Sequence, residues 1–132
     1  MSASGVSEPG CLSPGWRILA TEPTPSVSPS PSHSGSNAAF LGSIPNQEPS
    51  GDSSIYQQVT VPASVGTLSF WYYPYSRDNI QFDWQDAYIT DLNGSILATV
   101  MHVLEGTETW TNVTYDLAAY AGQTIRVEFL VH

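Results

Sequence analysis

The sequence predicts an all-β fold, an antiparallel β-sandwich of the jelly-roll type, and three observations carry that prediction. Short runs rich in β-branched and aromatic residues alternate between apolar and polar and stop at Gly, Pro or Ser. An Asn-Gly pair, Asn93-Gly94, separates "AYITDL" from "SILATV", and such a pair readily takes the positive φ angles of a two-residue hairpin turn. The composition holds ten Gly, ten Pro, four Trp, seven Tyr and four Phe, whereas Lys and Arg together number three, so strong helix formers are scarce.

The elements follow in chain order. Residues 1–14 read as irregular, and "GWRILA" (15–20) reads as a short strand whose Trp16 needs burial. The Pro/Ser-rich stretch 21–36, "TEPTPSVSPSPSHSGS", has the composition of a linker. A strand on its N-terminal side makes it a long loop inside one domain that runs over 1–132. "NAAFLG" (37–42), "SIYQQVTVP" (54–62) and "TLSFWYYPYS" (67–76) come next as strands. In the last of these Leu68, Phe70 and Tyr72 share one face and Ser69, Trp71 and Tyr73 the other, so the second face is either covered by a loop or open for binding. The hairpin over 86–104 follows, then "TWTNVTYDL" (109–117), a turn "AAYAG", and "TIRVEFLVH" (124–132). In that last strand Ile125, Val127, Phe129 and Val131 alternate with Arg126, Glu128 and Leu130. Seven or eight strands so spaced favour two packed antiparallel sheets.

Length and charge narrow the function. A chain of 132 residues fits one domain and buries roughly two-thirds of its unfolded surface. Twelve acidic residues against three Arg give a formal net charge of -9, which excludes nucleic acid as a natural partner and disfavours anionic membranes. No apolar run approaches the roughly 20 residues of a membrane span. Cys11 is the single cysteine, so an internal disulfide and a Cys-rich zinc site are excluded. "MSASGVSEPG" lacks the pattern of a secretory signal.

The phrases "HSGSNAAFLGS", "SSIYQQVTVPASVGTLSFWYY" and "WTNVTYDLAAYAGQTIRVEFLVH" resemble bacterial jelly-roll modules related to MAM-like and carbohydrate-binding-module-like domains. The resemblance runs from about Trp16 to His132. It implies an accessory module of a large secreted or surface protein, often beside a peptidase, and an extracellular location. Such modules open with an acidic "NGGFE"-like strand and close with a "VDDV"-like strand. Here "SGVSEPGC" stands at the start and the sequence stops at His132. A missing final strand would leave 124–132 as an unpaired edge, ready to pair with a neighbouring domain or a second copy; the competing reading is that a different strand of the domain already covers it.

Two sites are expected at the loop before the hairpin. Asp78, Asp83 and Asp86, with Asn79 near by, supply hard oxygens for a Ca²⁺ ion; the competing reading is a solvated loop in which Asp86 caps turn amides. Tyr73, Tyr75 and Trp84 offer an aromatic platform for a sugar ring, with Asp83 and Gln85 for its hydroxyls; the competing reading is loop cover. Trp16, Trp71, Trp110 and Tyr120 are assigned to the core. His33, His102 and His132 are scattered, no nucleophile-base motif is present, and the module is expected to be non-catalytic. "NGS" at Asn93 and "NVT" at Asn112 match the glycosylation sequon, which is read as coincidence in a bacterial module. The sequence therefore points to a module that binds carbohydrate or a cell surface, or to a structural domain that packs on a neighbour.

Overall fold

The computed structural model describes residues 2–4, 16–43, 51–64, 66–77 and 81–132. Its strands are β1 (Ser2–Ser4), β2 (Trp16–Thr21), β3 (Ser26–Ser28), β4 (Ala38–Phe40) and β5 (Ser53–Thr60), then β6 (Thr67–Tyr73), β7 (Gln85–Thr90), β8 (Ile96–Val103), β9 (Thr111–Asp116) and β10 (Thr124–Val131). They form two five-stranded sheets, ordered β3-β4-β1-β6-β9 and β2-β5-β10-β7-β8. Every pairing is antiparallel. Among the described residues the only helical element is a 3-10 turn at Ala118–Tyr120, and the predicted antiparallel sandwich is what forms.

Alternation along the strands builds the core. Phe70 and Tyr72 of β6 point inward from the first sheet, and Ile125, Val127 and Phe129 of β10 point inward from the second. Phe70 meets Phe129 edge to face across the gap, with ring centroids 4.8 Å apart. Each fully buried side chain of this size contributes about 1.5–3 kcal/mol. Trp16 tilts against Phe129 at 5.6 Å, and Tyr120 also packs on the cluster, both as expected from the sequence.

The predicted hairpin is present with a different turn. Asp91 N–H donates to Ser95 O and Gly94 N–H to Asp91 O, and only Gly94 takes a positive φ, of 87°. The connection is thus longer than the two-residue turn, with a left-handed Gly at its end. Asp91 caps it: its Oδ1 accepts from Asn93 N–H and Ser95 N–H. Those bonds hold the Asp91 carboxyl below the usual carboxylate range.

Three expectations are corrected. The opening residues, read as irregular, contribute β1, which lies between β4 and β6; residues 5–14 are outside the described part. Within 21–36, β3 pairs with β4 along Ser26↔Phe40 to Ser28↔Ala38. The strand over 124–132 is no edge. It pairs with β5 from Thr124↔Thr60 to Val131↔Ser53 and with β7 from Arg126↔Thr90 to Val131↔Gln85. Its two neighbours come from distant parts of the sequence, and both of its edges are paired. A partner that completes the sheet at this strand has no place to bind.

Candidate functional site

The outer face of the second sheet carries the polar constellation. Ala87 and Ile89 of β7 and Val127 and Phe129 of β10 are in the core, so alternation sends Asp86 and Tyr88, Glu128 and Leu130 to the opposite face. Register then sets rows across the strands. Tyr56, Glu128 and Tyr88 lie side by side on β5, β10 and β7. Ser54, Leu130, Asp86 and His102 form the next row across β5, β10, β7 and β8.

Two β-bulges create the Asp86–His102 contact. β8 carries an extra residue between Ile96 and Ala98 and another between Thr99 and Met101, so the pairing slides from Thr90↔Ile96 to Asp86↔His102. One bulge alone would turn His102 to the wrong face, and the second restores it. The His102 ring donates through Nδ1 to Asp86 Oδ1 at 2.6 Å, and Tyr88 donates its hydroxyl to Asp86 Oδ2. Asp86 is fully buried while half of the His102 side chain is exposed. Burial first, and the Asp86 carboxylate second, push the Tyr88 hydroxyl well above the ordinary tyrosine range.

A second histidine pair stands beside the first. His132 Nδ1 donates to Asp52 Oδ1 at 2.7 Å, and the ring stacks on Trp84 with centroids 4.0 Å apart. His132 N–H also donates to Trp84 O at 3.0 Å, which continues the β10–β7 ladder past the strand and fixes the two residues together. A cavity of about 430 Å³ opens on this face, within the range of small-ligand clefts. Trp84, His132, Asp52, Glu128 and Tyr88 supply its aromatic and polar walls; Leu19, from the β2 bulge, Ile96 and Leu130 supply apolar ones. Glu128 is 8% exposed. Burial, then the charge of Asp52, raises its carboxyl above the usual range, while Arg126 opposes the rise.

The residues expected from sequence divide among several places. Trp84 lines the cavity, and Asp83 is half-buried immediately before it. Gln85, expected to meet hydroxyls, is instead buried at the sandwich end: its Nε2 donates to Glu105 O at 3.1 Å, and the Glu105 carboxylate accepts from Tyr72. Tyr73 is on the outer face of the first sheet, tilted against Trp110 at 5.4 Å, and Tyr75 carries the Arg77 guanidinium 5.8 Å from its ring centre. The three aromatics therefore do not form one platform. Trp71 and Trp110, assigned to the core, lie with Tyr73 on that outer face, where His33 from the 21–36 segment stacks on Trp71 at 4.0 Å. The alternation in "TLSFWYY" had put Trp71 there; its size argued wrongly for burial.

The expected Ca²⁺ set does not assemble around Asp86. That carboxylate is a buried strand residue whose oxygens are taken by Tyr88 and His102, and Asp78 and Asn79 lie outside the described residues. Among the described residues no group of three or more His, Cys, Asp or Glu is placed to hold a metal ion. The residues sequence reasoning passed over are Asp52, Tyr88, Glu128, His102 and His132, which only the strand order brings together.

No family model and no curated protein matches the chain. Among solved structures it is similar to TmCBM61, determined in complex with β-1,4-galactotriose, at TM-score 0.60 and 18% identity over 88% of this chain and 76% of that one. The chain has the β-sandwich fold of a carbohydrate-binding module. It is also similar to the enzymatically active domain of tailspike protein 4 from bacteriophage CBA120, at TM-score 0.55 and 15% identity over 89% of this chain. This chain spans 17% of that tailspike domain's length. Among the described residues no helix is long and apolar enough to cross a membrane.

Proposed function

We propose that this chain is a non-catalytic carbohydrate-binding module that receives a sugar in the groove on the outer face of the β2-β5-β10-β7-β8 sheet. The observation that carries the proposal is the cavity of about 430 Å³ in which the Trp84–His132 stack faces Asp52, Glu128 and Tyr88. An aromatic wall takes the C–H face of a pyranose, and carboxylates and a hydroxyl bind its equatorial hydroxyl groups. The fold shared with TmCBM61, which was solved with β-1,4-galactotriose, supports the ligand class. The resemblance to MAM-like accessory modules supports a place in a larger exported protein, outside the cell.

The test is a glycan array followed by calorimetry on three proteins. Wild type and Tyr73→Ala should bind the same glycans, because Tyr73 belongs to the other sheet, and Trp84→Ala should lose them. Silence of the wild type across neutral, basic and acidic glycans would sink the proposal. A second reading, a structural domain that packs on a neighbour, is favoured by the exposed Ile18 and Leu19 on β2 and the exposed Leu92, Ile96 and Leu97 at the hairpin. That reading takes over if glycans fail and apolar-to-Ser changes at Leu19 and Ile96 alter the oligomeric state.

A further inference from the structure

We infer that the groove selects glycans bearing a protonated amine, with Glu128 as the group that meets the ammonium; this rests on the carbohydrate reading of the same groove. Glu128 is 8% exposed, lines the cavity, and sits between Tyr56 and Tyr88 in the cross-strand row. The two ion pairs among the described residues, His102–Asp86 and His132–Asp52, leave it without a cation within salt-bridge distance. Arg126 is the nearest compensating charge, but its guanidinium is held 4.2 Å from the centre of the Tyr56 ring and it is not part of the cavity wall.

The ionisable groups that line the cavity are Asp52, Tyr88, Glu128 and His132. The one histidine is already matched to Asp52, so one carboxylate remains over in a partly dry wall. A neutral hydroxyl from a sugar donates one hydrogen bond to Glu128 and leaves its charge standing. An ammonium group donates up to three and cancels it, which matters more here than in water because the group is desolvated. An acidic sugar would place a third carboxylate against Asp52 and Glu128 and is expected to be excluded.

Calorimetry with four trisaccharides tests the inference: a β-1,4-linked glucosamine trimer at a pH where its amines are protonated, its N-acetylated counterpart, β-1,4-galactotriose, and a galacturonic acid trimer. The expected result is that the glucosamine trimer binds about tenfold more tightly than either neutral trimer, the difference between a charge-assisted and a neutral hydrogen bond, and that the acidic trimer fails. Glu128→Gln should remove the preference, read as the ratio of amine to neutral affinity, whatever it does to neutral binding itself. Because that substitution touches a buried site, the wild type is also titrated with NaCl, which should shrink the amine preference and leave neutral binding unchanged. Neutral trimers bound as tightly as the amine, or a preference indifferent to both Glu128→Gln and salt, overturn this inference alone. Failure of all four trimers overturns it together with the carbohydrate reading.

Discussion

Trp84 and His132 lie face to face, with ring planes 8° apart. The stack is held from both ends, by the backbone bond to Trp84 O and by the Asp52 carboxylate on Nδ1. A wall fixed in this way keeps its shape before a ligand arrives, so little ordering is left to oppose binding. Trp84→Ala is expected to lower glycan affinity by at least about tenfold with unchanged far-UV circular dichroism. Asp52→Asn, which loosens the His132 ring while leaving the indole, should cost less. Calorimetry on both variants checks the order.

Asp86 has a structural part beneath that wall. Removing its carboxylate strands the Tyr88 hydroxyl and the His102 ring in one step. Asp86→Ala should destabilise the fold by about 1–3 kcal/mol, the range for leaving a polar partner unsatisfied at a buried site, measured as a shift of the urea midpoint. The double variant Asp86→Ala, His102→Ala should cost less than the two single changes together, because they break the same contact. Strict additivity would show that the contact contributes nothing.

Glu128 sets a pH dependence of the opposite sense to the usual carboxylate. Its folded-state carboxyl titrates above the unfolded value, chiefly through burial and then through Asp52, so the folded chain holds the proton over a window where the unfolded chain has released it. Stability from this group is present below the ordinary Glu range and declines as pH rises through the folded value. Glu128→Gln should therefore raise the melting temperature at neutral pH, with a gain that fades on acidification. Thermal melts of both proteins between acid and neutral pH measure it, and a gain that grows towards acid would contradict the assignment.

Much of the sandwich was legible in the sequence because alternation survives in long strands. "TIRVEFLVH" named its inward residues correctly, the alternation in "TLSFWYY" separated Phe70 and Tyr72 from Trp71, and the hairpin flanking Asn93-Gly94 formed. Trp84 was found because a large aromatic beside a strand start is conspicuous in any context. What stayed hidden depends on lateral order and register. Asp86 faces His102 only after two bulges that no local pattern announces, and His132 reaches Asp52 only because β10 runs beside β5. The same lateral order turned a presumed edge into a central strand.

Gly106 marks a close approach of two loops. A Cβ on it would stand 2.1 Å from the Ser76 carbonyl oxygen, and Glu108 N–H donates to Pro74 O in the same junction. Since the obstacle is backbone, the segment must move to admit a methyl group. Gly106→Ala is expected to lose about 1–3 kcal/mol in chemical denaturation, with glycan affinity retained because the junction is no part of the groove.

The Tyr72 hydroxyl, which donates to Glu105, is pushed up to about 12 by burial and by that carboxylate. An unfolded tyrosine ionises near about 10, so the folded chain keeps its proton longer and stability falls as pH climbs between the two values. Tyr72→Phe should be less stable at neutral pH, for want of the bond to Glu105, and should show a shallower alkaline decline in thermal melts.

The position of β10 between β5 and β7 also bears on how the molecule comes into being. During synthesis both flanking strands leave the ribosome well before residues 124–131 exist, and neither has its central neighbour until that segment emerges. The nascent chain must wait with two half-sheets side by side, and the last strand closes them in one late event. The outer face of this sheet, which Glu128 and Leu130 help to form, is consequently incomplete until that strand has joined.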